Sequence, residues 1–212
     1  MTFPCDKGAQ VALKIAHTIQ ANKDYLSEVD GLIGDGDHGI NMNKGFTMFA
    51  DKVGDTQMNL SEAFKTLSRT LMSDIGGSMG PLYGTFFIQM SRKAKGKEEL
   101  SKEDFAVMLN AARDGITELG GAKVGDKTLM DALSPAADAY QAAIDGGATF
   151  PEALHKMKAA AEAGRDSTKD LVAKLGRASR LGERSRGVLD AGATSCCLIL
   201  CALADGIEEY LA

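Results

Sequence analysis

Apolar residues recur at three- and four-residue spacing along most of the chain, and strict alternation of apolar and polar positions is nearly absent. That period predicts helices rather than strands. Frequent Ala, Leu, Met, Lys and Glu, all good helix formers, reinforce it. The pattern resolves into about eight helices, at roughly 5–23, 39–52, 60–75, 81–95, 102–119, 127–145, 150–173 and 192–210. Several starts are marked by local chemistry. Asn59 followed by Glu62, and Ser101 followed by Asp104, have the spacing of a reciprocal cap. Thr149-Phe-Pro151-Glu152 adds a proline in the first turn, where a missing N–H costs nothing. Pro81 opens a helix carrying Leu82, Phe86, Phe87 and Met90.

No Pro-, Ser- or Gly-rich linker divides the chain, and no internal repeat is evident. The expectation is one all-α domain spanning 1–212, a bundle or barrel of antiparallel helices. The informative glycines cluster between predicted helices, at 31–39, 76–84, 120–125 and 176–192. In an up-and-down bundle alternate connections share one end, so these loops can build a site there.

Length and charge narrow the function. At 212 residues, the chain can bury a full core without staples. Its net charge of −5 argues against nucleic acid and membrane surfaces, which need clustered cations. No stretch approaches the roughly 18 consecutive apolar residues of a membrane span. The N-terminal MTFPCDKGAQ has charges where a signal peptide is apolar, so a cytoplasmic protein is expected. Cys5, Cys196, Cys197 and Cys201 form no C-x-x-C pair, and three lie in an apolar run, as core cysteines do.

The segment Asp30-Gly-Leu-Ile-Gly-Asp35-Gly-Asp37-His38-Gly39, between the first two predicted helices, carries the most chemistry. Its match to G-x-G-x-x-G fails for want of a preceding strand. It is not a calcium loop either, since position twelve never holds a glutamate. Three carboxylates this close repel by several kcal/mol per pair at an effective dielectric of about 20, unless solvation, protons or a cation relieve them. Hard oxygen donors favour magnesium, calcium or manganese. Magnesium commonly takes a few carboxylates and completes its shell with water and phosphate oxygens. Asp30, Asp35 and Asp37 are therefore candidate ligands of magnesium holding a polyphosphate, against the alternative of a solvated acidic turn. His38 and Asn41 sit at the start of the following helix, where N–H groups favour anions.

Three further loops offer anion chemistry. Gly76-Gly77-Ser78-Met79-Gly80-Pro81 sets backbone N–H groups and a hydroxyl before a helix, or is simply a tight turn. Gly120 to Thr128 nearly spells a P-loop, but Asp126 interrupts it and it follows a helix, so that reading is rejected. Lys174 to Asp190 places four arginines in ten positions ahead of the last helix, as an anion site, a docking surface or a solvated loop. Asp190 is also placed to cap that helix.

Six segments, in order, carry a resemblance: IGDGDHGINM at 33–42, GPLYGTFF at 80–87, GDKT at 125–128, GRAS at 176–179, LGERS at 181–185 and GATS at 192–195. The chain resembles the nucleotide-binding L subunits of dihydroxyacetone kinases, closest to the bacterial form driven by the phosphotransferase system. The resemblance implies a barrel of eight antiparallel helices with nucleotide at one end. It implies two magnesium ions on Asp30, Asp35 and Asp37, and nucleotide contacts at His38, Gly39, Ile40 and Asn41. Ser78 and Met79 would meet phosphates, Gly120 and Leu129 would border adenine, and Arg177 with Asp190, Ala191 and Gly192 would close the pocket. ADP would remain bound as a coenzyme, be rephosphorylated to ATP by a phosphohistidine partner, and pass its γ-phosphoryl to dihydroxyacetone on a K subunit. The nucleophile would lie on that partner, leaving no catalytic residue here. A transcription regulator and a second copy of the chain are further partners it allows. The alternatives are an ATP-dependent kinase subunit for another short ketose, such as a tetrulose, and a non-catalytic ADP sensor. The chain departs from the family pattern at Ser78-Met79, at Val188-Leu-Asp190-Ala191-Gly192 and at Arg180.

Overall fold

The structure is a computed structural model that describes residues 1–212. Nine α-helices account for most of the chain: α1 Gly8–Ala21, α2 Lys23–Gly31, α3 His38–Val53, α4 Leu60–Asp74, α5 Met79–Ala94, α6 Lys102–Gly120, α7 Met130–Asp145, α8 Phe150–Ser167 and α9 Ala191–Glu208. The sheet is one short antiparallel pair, β1 Phe3–Pro4 against β2 Glu99–Leu100.

Eight of the helices form a closed ring. Each of α3 to α8 packs on the next, α9 packs on α8 and α1, and α1 returns to α3. The small helix α2 lies against α3 and α9. One cluster of 52 buried apolar residues fills the ring from Phe3 to Ile207. Phe46, Phe64, Phe86 and Phe87 interlock α3, α4 and α5, with Phe86 and Phe87 edge-on at 5.0 Å. Phe105, Tyr140 and Phe150 do the same for α6, α7 and α8. α9 is long and apolar enough to cross a membrane, with mean hydropathy 1.4, but 72% of it is buried as a wall of this core. All four cysteines are free, and Cys5, Cys196 and Cys197 are buried.

The expected caps form. Asn59 with Glu62, Ser101 with Asp104 and Thr149 with Glu152 each make the full reciprocal capping box. Those boxes start α4, α6 and α8, all at the end of the ring where β1 and β2 pair. The chain ends meet there too, Thr2 N donating to Ala212 O and Ala212 N to Thr2 O.

Three helix boundaries and one loop need correction. The predicted 5–23 helix breaks at Asn22, whose side chain donates back to Thr18 O, and the chain restarts as α2. The acidic segment therefore spans the end of α2 and the loop to α3. The predicted 150–173 helix stops at Ser167 and gives way to a 3₁₀ turn, Thr168–Asp170. The predicted 127–145 helix starts at Met130, because Lys127 adopts φ 60°. The arginine segment is not a featureless loop: Arg177–Ser185 winds as 3₁₀ turns, broken at Gly182.

Candidate functional site

Helix direction alternates around the ring, so α3, α5, α7 and α9 all begin at the same end. A cavity of about 580 Å³ opens there. Each helix start contributes the partial positive charge of its unpaired N–H groups. At the far end the starts of α4, α6 and α8 are closed by capping boxes. Here the residues before α3 and α5, Asp37 and Ser78, make no capping bond with their own side chains, and Ser78 is exposed. The fold thus leaves donors free on the side where the cavity lies.

The carboxylates stand at its rim. One ligand atom from each of Asp30, Asp35 and Asp37 lies within 4.8 Å of the others. Asp30 projects from the last turn of α2, Asp35 from the loop, and Asp37 from the residue before α3. Gly36, at φ 75°, turns the backbone between the latter two. Gly39 sets the distance between the helices: a Cβ there would sit 2.0 Å from Lys23 O, so only glycine lets α3 approach α2. The three carboxylates provide only hard oxygen donors on a partly exposed rim, a set that fits magnesium and would leave positions for water or phosphate. One cation is already in the group, since the Arg177 guanidinium pairs with Asp35.

A buried hydrogen-bond chain lies beneath. His38 Nε2 meets Ser195 Oγ at 2.9 Å, and Ser195 Oγ meets Tyr83 Oη at 2.5 Å. Tyr83 also donates to Gly192 O at 3.1 Å. These contacts join α3, α5 and α9 under the cavity floor. Burial pulls His38 down to about 4, outweighing nearby Asp30, so its imidazole is neutral near pH 7. Its backbone N–H donates to Asp30 Oδ2 at 3.3 Å.

Asp190 caps α9, its Oδ2 accepting from Ala193 N at 2.7 Å. It faces the cavity but is otherwise ringed by protein, and burial raises its carboxyl to about 7 in spite of that bond. The cavity's opposite side is apolar: Leu82, Ile116, Leu119, Ala122, Leu129 and Met130. One end of the cavity is therefore anionic and donor-rich, the other greasy.

Twelve of the sequence-derived candidates line this one cavity: Asp30, Asp35, Asp37, His38, Ser78, Met79, Gly120, Leu129, Arg177, Asp190, Ala191 and Gly192. Three do not. Gly39 is buried against α2, Ile40 is 56% exposed outside the cavity, and Asn41 joins the α3 ladder through its bond to Asp37 O. Of the clustered arginines only Arg177 reaches the cavity; Arg186 turns back to Asp170 O and Glu183. Sequence reasoning missed Tyr83, Lys127, Ser195 and Asp131. Asp131 is buried and accepts from Gly125 N and Thr128 N at 2.6 and 2.7 Å, shaping the loop before α7. Tyr83, Lys127 and Ser195 fall within the GPLYGTFF, GDKT and GATS segments, whose spacing alone assigns them no chemistry.

Comparison with known proteins agrees with this architecture. The DAK2 domain model matches residues 32–205. The ADP-binding subunit DhaL of the PEP-dependent dihydroxyacetone kinase of Escherichia coli K12 is 36% identical over 187 residues, covering 88% of this chain and 89% of that one. The corresponding subunit of the PTS-dependent kinase of Lactococcus lactis is 42% identical, covering 86% and 87%. An L-erythrulose kinase of Pectobacterium atrosepticum is 33% identical, covering 86% of this chain and 31% of that longer one. Among solved structures, the dihydroxyacetone kinase of C. freundii in its native form superposes with TM-score 0.71 at 26% identity. Its complex with AMP-PNP and Mg2+ gives 0.69 at 25%. This chain spans about a third of each of those two structures and 93% of itself is covered. With a domain match over most of its length and relatives of its own size, the chain belongs to the DAK2 domain family, among the DhaL subunits of dihydroxyacetone kinases.

Proposed function

We propose that this chain is the nucleotide-bearing subunit of a dihydroxyacetone kinase, a phosphotransferase subunit that carries ADP and ATP as a bound coenzyme. The observation that carries the reading is the juxtaposition in one cavity of three carboxylates, uncapped helix starts and an apolar wall. The apolar wall suits an adenine ring, and the helix starts suit a phosphate tail. Asp30, Asp35 and Asp37 would hold two magnesium ions, whose chemistry is to neutralise the phosphate oxygens as charge moves during transfer. The rest falls to the protein. Ser78 and the α5 N–H groups orient the distal phosphates. Arg177, paired with Asp35, would serve as a second partner for phosphate oxygens, because a guanidinium matches phosphate bidentately. His38, neutral and held by Ser195, keeps the cavity floor rigid.

The one hydroxyl held by an imidazole, Ser195 on His38, is fully buried beneath the cavity, so the nucleophile and its base belong to a partner. The partners we propose are a K subunit presenting dihydroxyacetone and a phosphohistidine-bearing subunit of the phosphotransferase type that regenerates ATP, all in the cytoplasm. A transcription regulator and a second copy of the chain are further partners, read by pull-down and by light scattering. The likeness to an L-erythrulose kinase favours one other reading, a four-carbon ketose as acceptor. Reconstitution with the K subunit and each ketose separates the two.

The site itself is tested by Asp35→Ala. The wild type takes up Mg-ADP in a calorimeter and loses it when the cation is chelated. The variant loses cation-dependent uptake altogether. Undiminished uptake refutes the assignment.

A further inference from the structure

Lys127 is the one non-glycine residue with positive φ, at 60°, and it is only 1% exposed. Such a backbone persists where its surroundings over-determine it. Its ammonium donates to Thr168 O at 2.6 Å, to Val188 O at 2.6 Å and to Leu171 O at 3.3 Å. An ammonium has three N–H groups, and all three are used. Lys127 therefore has no donor left for a phosphate, unlike the lysine of a P-loop.

The three carbonyls bracket the segment 168–190. Two follow the end of α8, where unpaired carbonyls and the helix dipole attract a cation. The third lies two residues before Asp190. The same seam is stitched at its edge by Lys174 N to Asp126 O at 3.1 Å and by the Lys174–Asp126 ion pair at 3.4 Å. Asp190 N donates to Thr168 Oγ1 at 3.0 Å. The segment so held carries Arg177 and Asp190, while the loop holding it continues into Leu129 and Met130.

We propose that Lys127 is a positioning residue, a buried clasp that fixes the arginine-bearing lip of the cavity against the apolar lip before α7. The proposal rests on the reading of the cavity as a nucleotide site. It gives the GDKT segment a purpose: Lys127 lines the cavity, but its ammonium is turned to the three carbonyls, so the lysine sets the width of the pocket rather than pairing with a phosphate.

The test uses the full chain with two readouts, hydrogen exchange of the nucleotide-free protein and calorimetry with Mg-ADP. Lys127→Met keeps the stem and removes the donors. Exchange of amides 172–187 should quicken by at least about tenfold, as expected when hydrogen bonds from a charged group are lost, with α4 and α6 unchanged. The dissociation constant for Mg-ADP should rise by about tenfold or more. Lys127→Arg, which keeps the charge, should recover part of both. Tyr140→Phe, which removes a buried bond to Lys102 O at the far end of the bundle, should move neither. If Lys127→Met does not fold, Lys127→Gly suits the positive φ. In that variant propylammonium should restore protection and affinity, whereas 1-propanol should not.

A folded variant with wild-type exchange at 172–187 overturns the clasp. So does weakened binding without faster exchange, which would make Lys127 a nucleotide contact. Failure of both variants to fold even with alkylammonium would overturn it too, making the lysine a determinant of the whole fold. A wild type that ignores Mg-ADP would instead overturn the nucleotide reading, and exchange of the empty protein would still decide the clasp.

Discussion

Replacing Asp190 by asparagine isolates one charge at the start of α9. The amide keeps an oxygen for Ala193 N, so the cap survives while the ionisable group is lost. In the folded protein burial moves the carboxyl from 3.8 to about 7. Three units at 1.36 kcal/mol each amount to about 4 kcal/mol between the protonation states. The sign follows from proton binding. Between pH 4 and 7 the folded state holds a proton that the unfolded chain has released, so this group's contribution is full near pH 4 and declines as pH rises, flattening above 7. Asparagine has no such slope. The stability of the variant relative to wild type should therefore grow by up to about 1.4 kcal/mol per unit in the middle of this window, about 2 kcal/mol from pH 5 to 7 because the slope halves at the folded pKa. Urea denaturation followed by circular dichroism, in buffer free of metal and nucleotide, measures it. Other titrations cancel in the difference. A difference that stays flat with pH, or runs the other way, would refute the burial argument.

His38 has the opposite sign. Its pKa falls from 6.5 to about 4, so the folded state refuses a proton that the unfolded chain accepts, and stability is lost as pH drops from 6.5. In His38→Gln that loss, about 3 kcal/mol by pH 4, should vanish in the same urea series. Gly39→Ala should force α2 off α3, destabilise by about 3 kcal/mol as overpacking does, and impair Mg-ADP uptake by calorimetry. Asn59→Ala should cost about 1 kcal/mol in a urea melt, as a lost cap usually does, with Mg-ADP affinity unchanged because that cap lies at the far end.

Local chemistry was the legible part of the sequence. Three capping boxes were visible because each is complete within four residues, and the aspartate cluster because three carboxylates in eight residues demand relief. The break at Asn22 was not visible: neither glycine nor proline marks it, and the apolar spacing runs through. Nor could Ile40 and Asn41 be told from His38 before the helix phase was fixed, since one turn of α3 points them away from the cavity. Contacts such as Arg177 with Asp35, or Ser195 with His38, join residues more than 140 positions apart. Only closure of the ring brings them together. In the sequence Lys127 reads only as the end of a failed P-loop, although the inserted Asp126 that spoils the motif is itself a stitch in the seam the lysine closes.

The backbone of Thr2 is bonded to that of Ala212 beside the β1–β2 pair, while α6 runs from there to Gly120 at the cavity. A helix of 19 residues is about 28 Å long. Anything spliced onto either terminus is thus kept a full helix length from the ligand mouth. Such a layout lets one module serve as a separate subunit or as a cassette within a larger polypeptide, with no change to its working face.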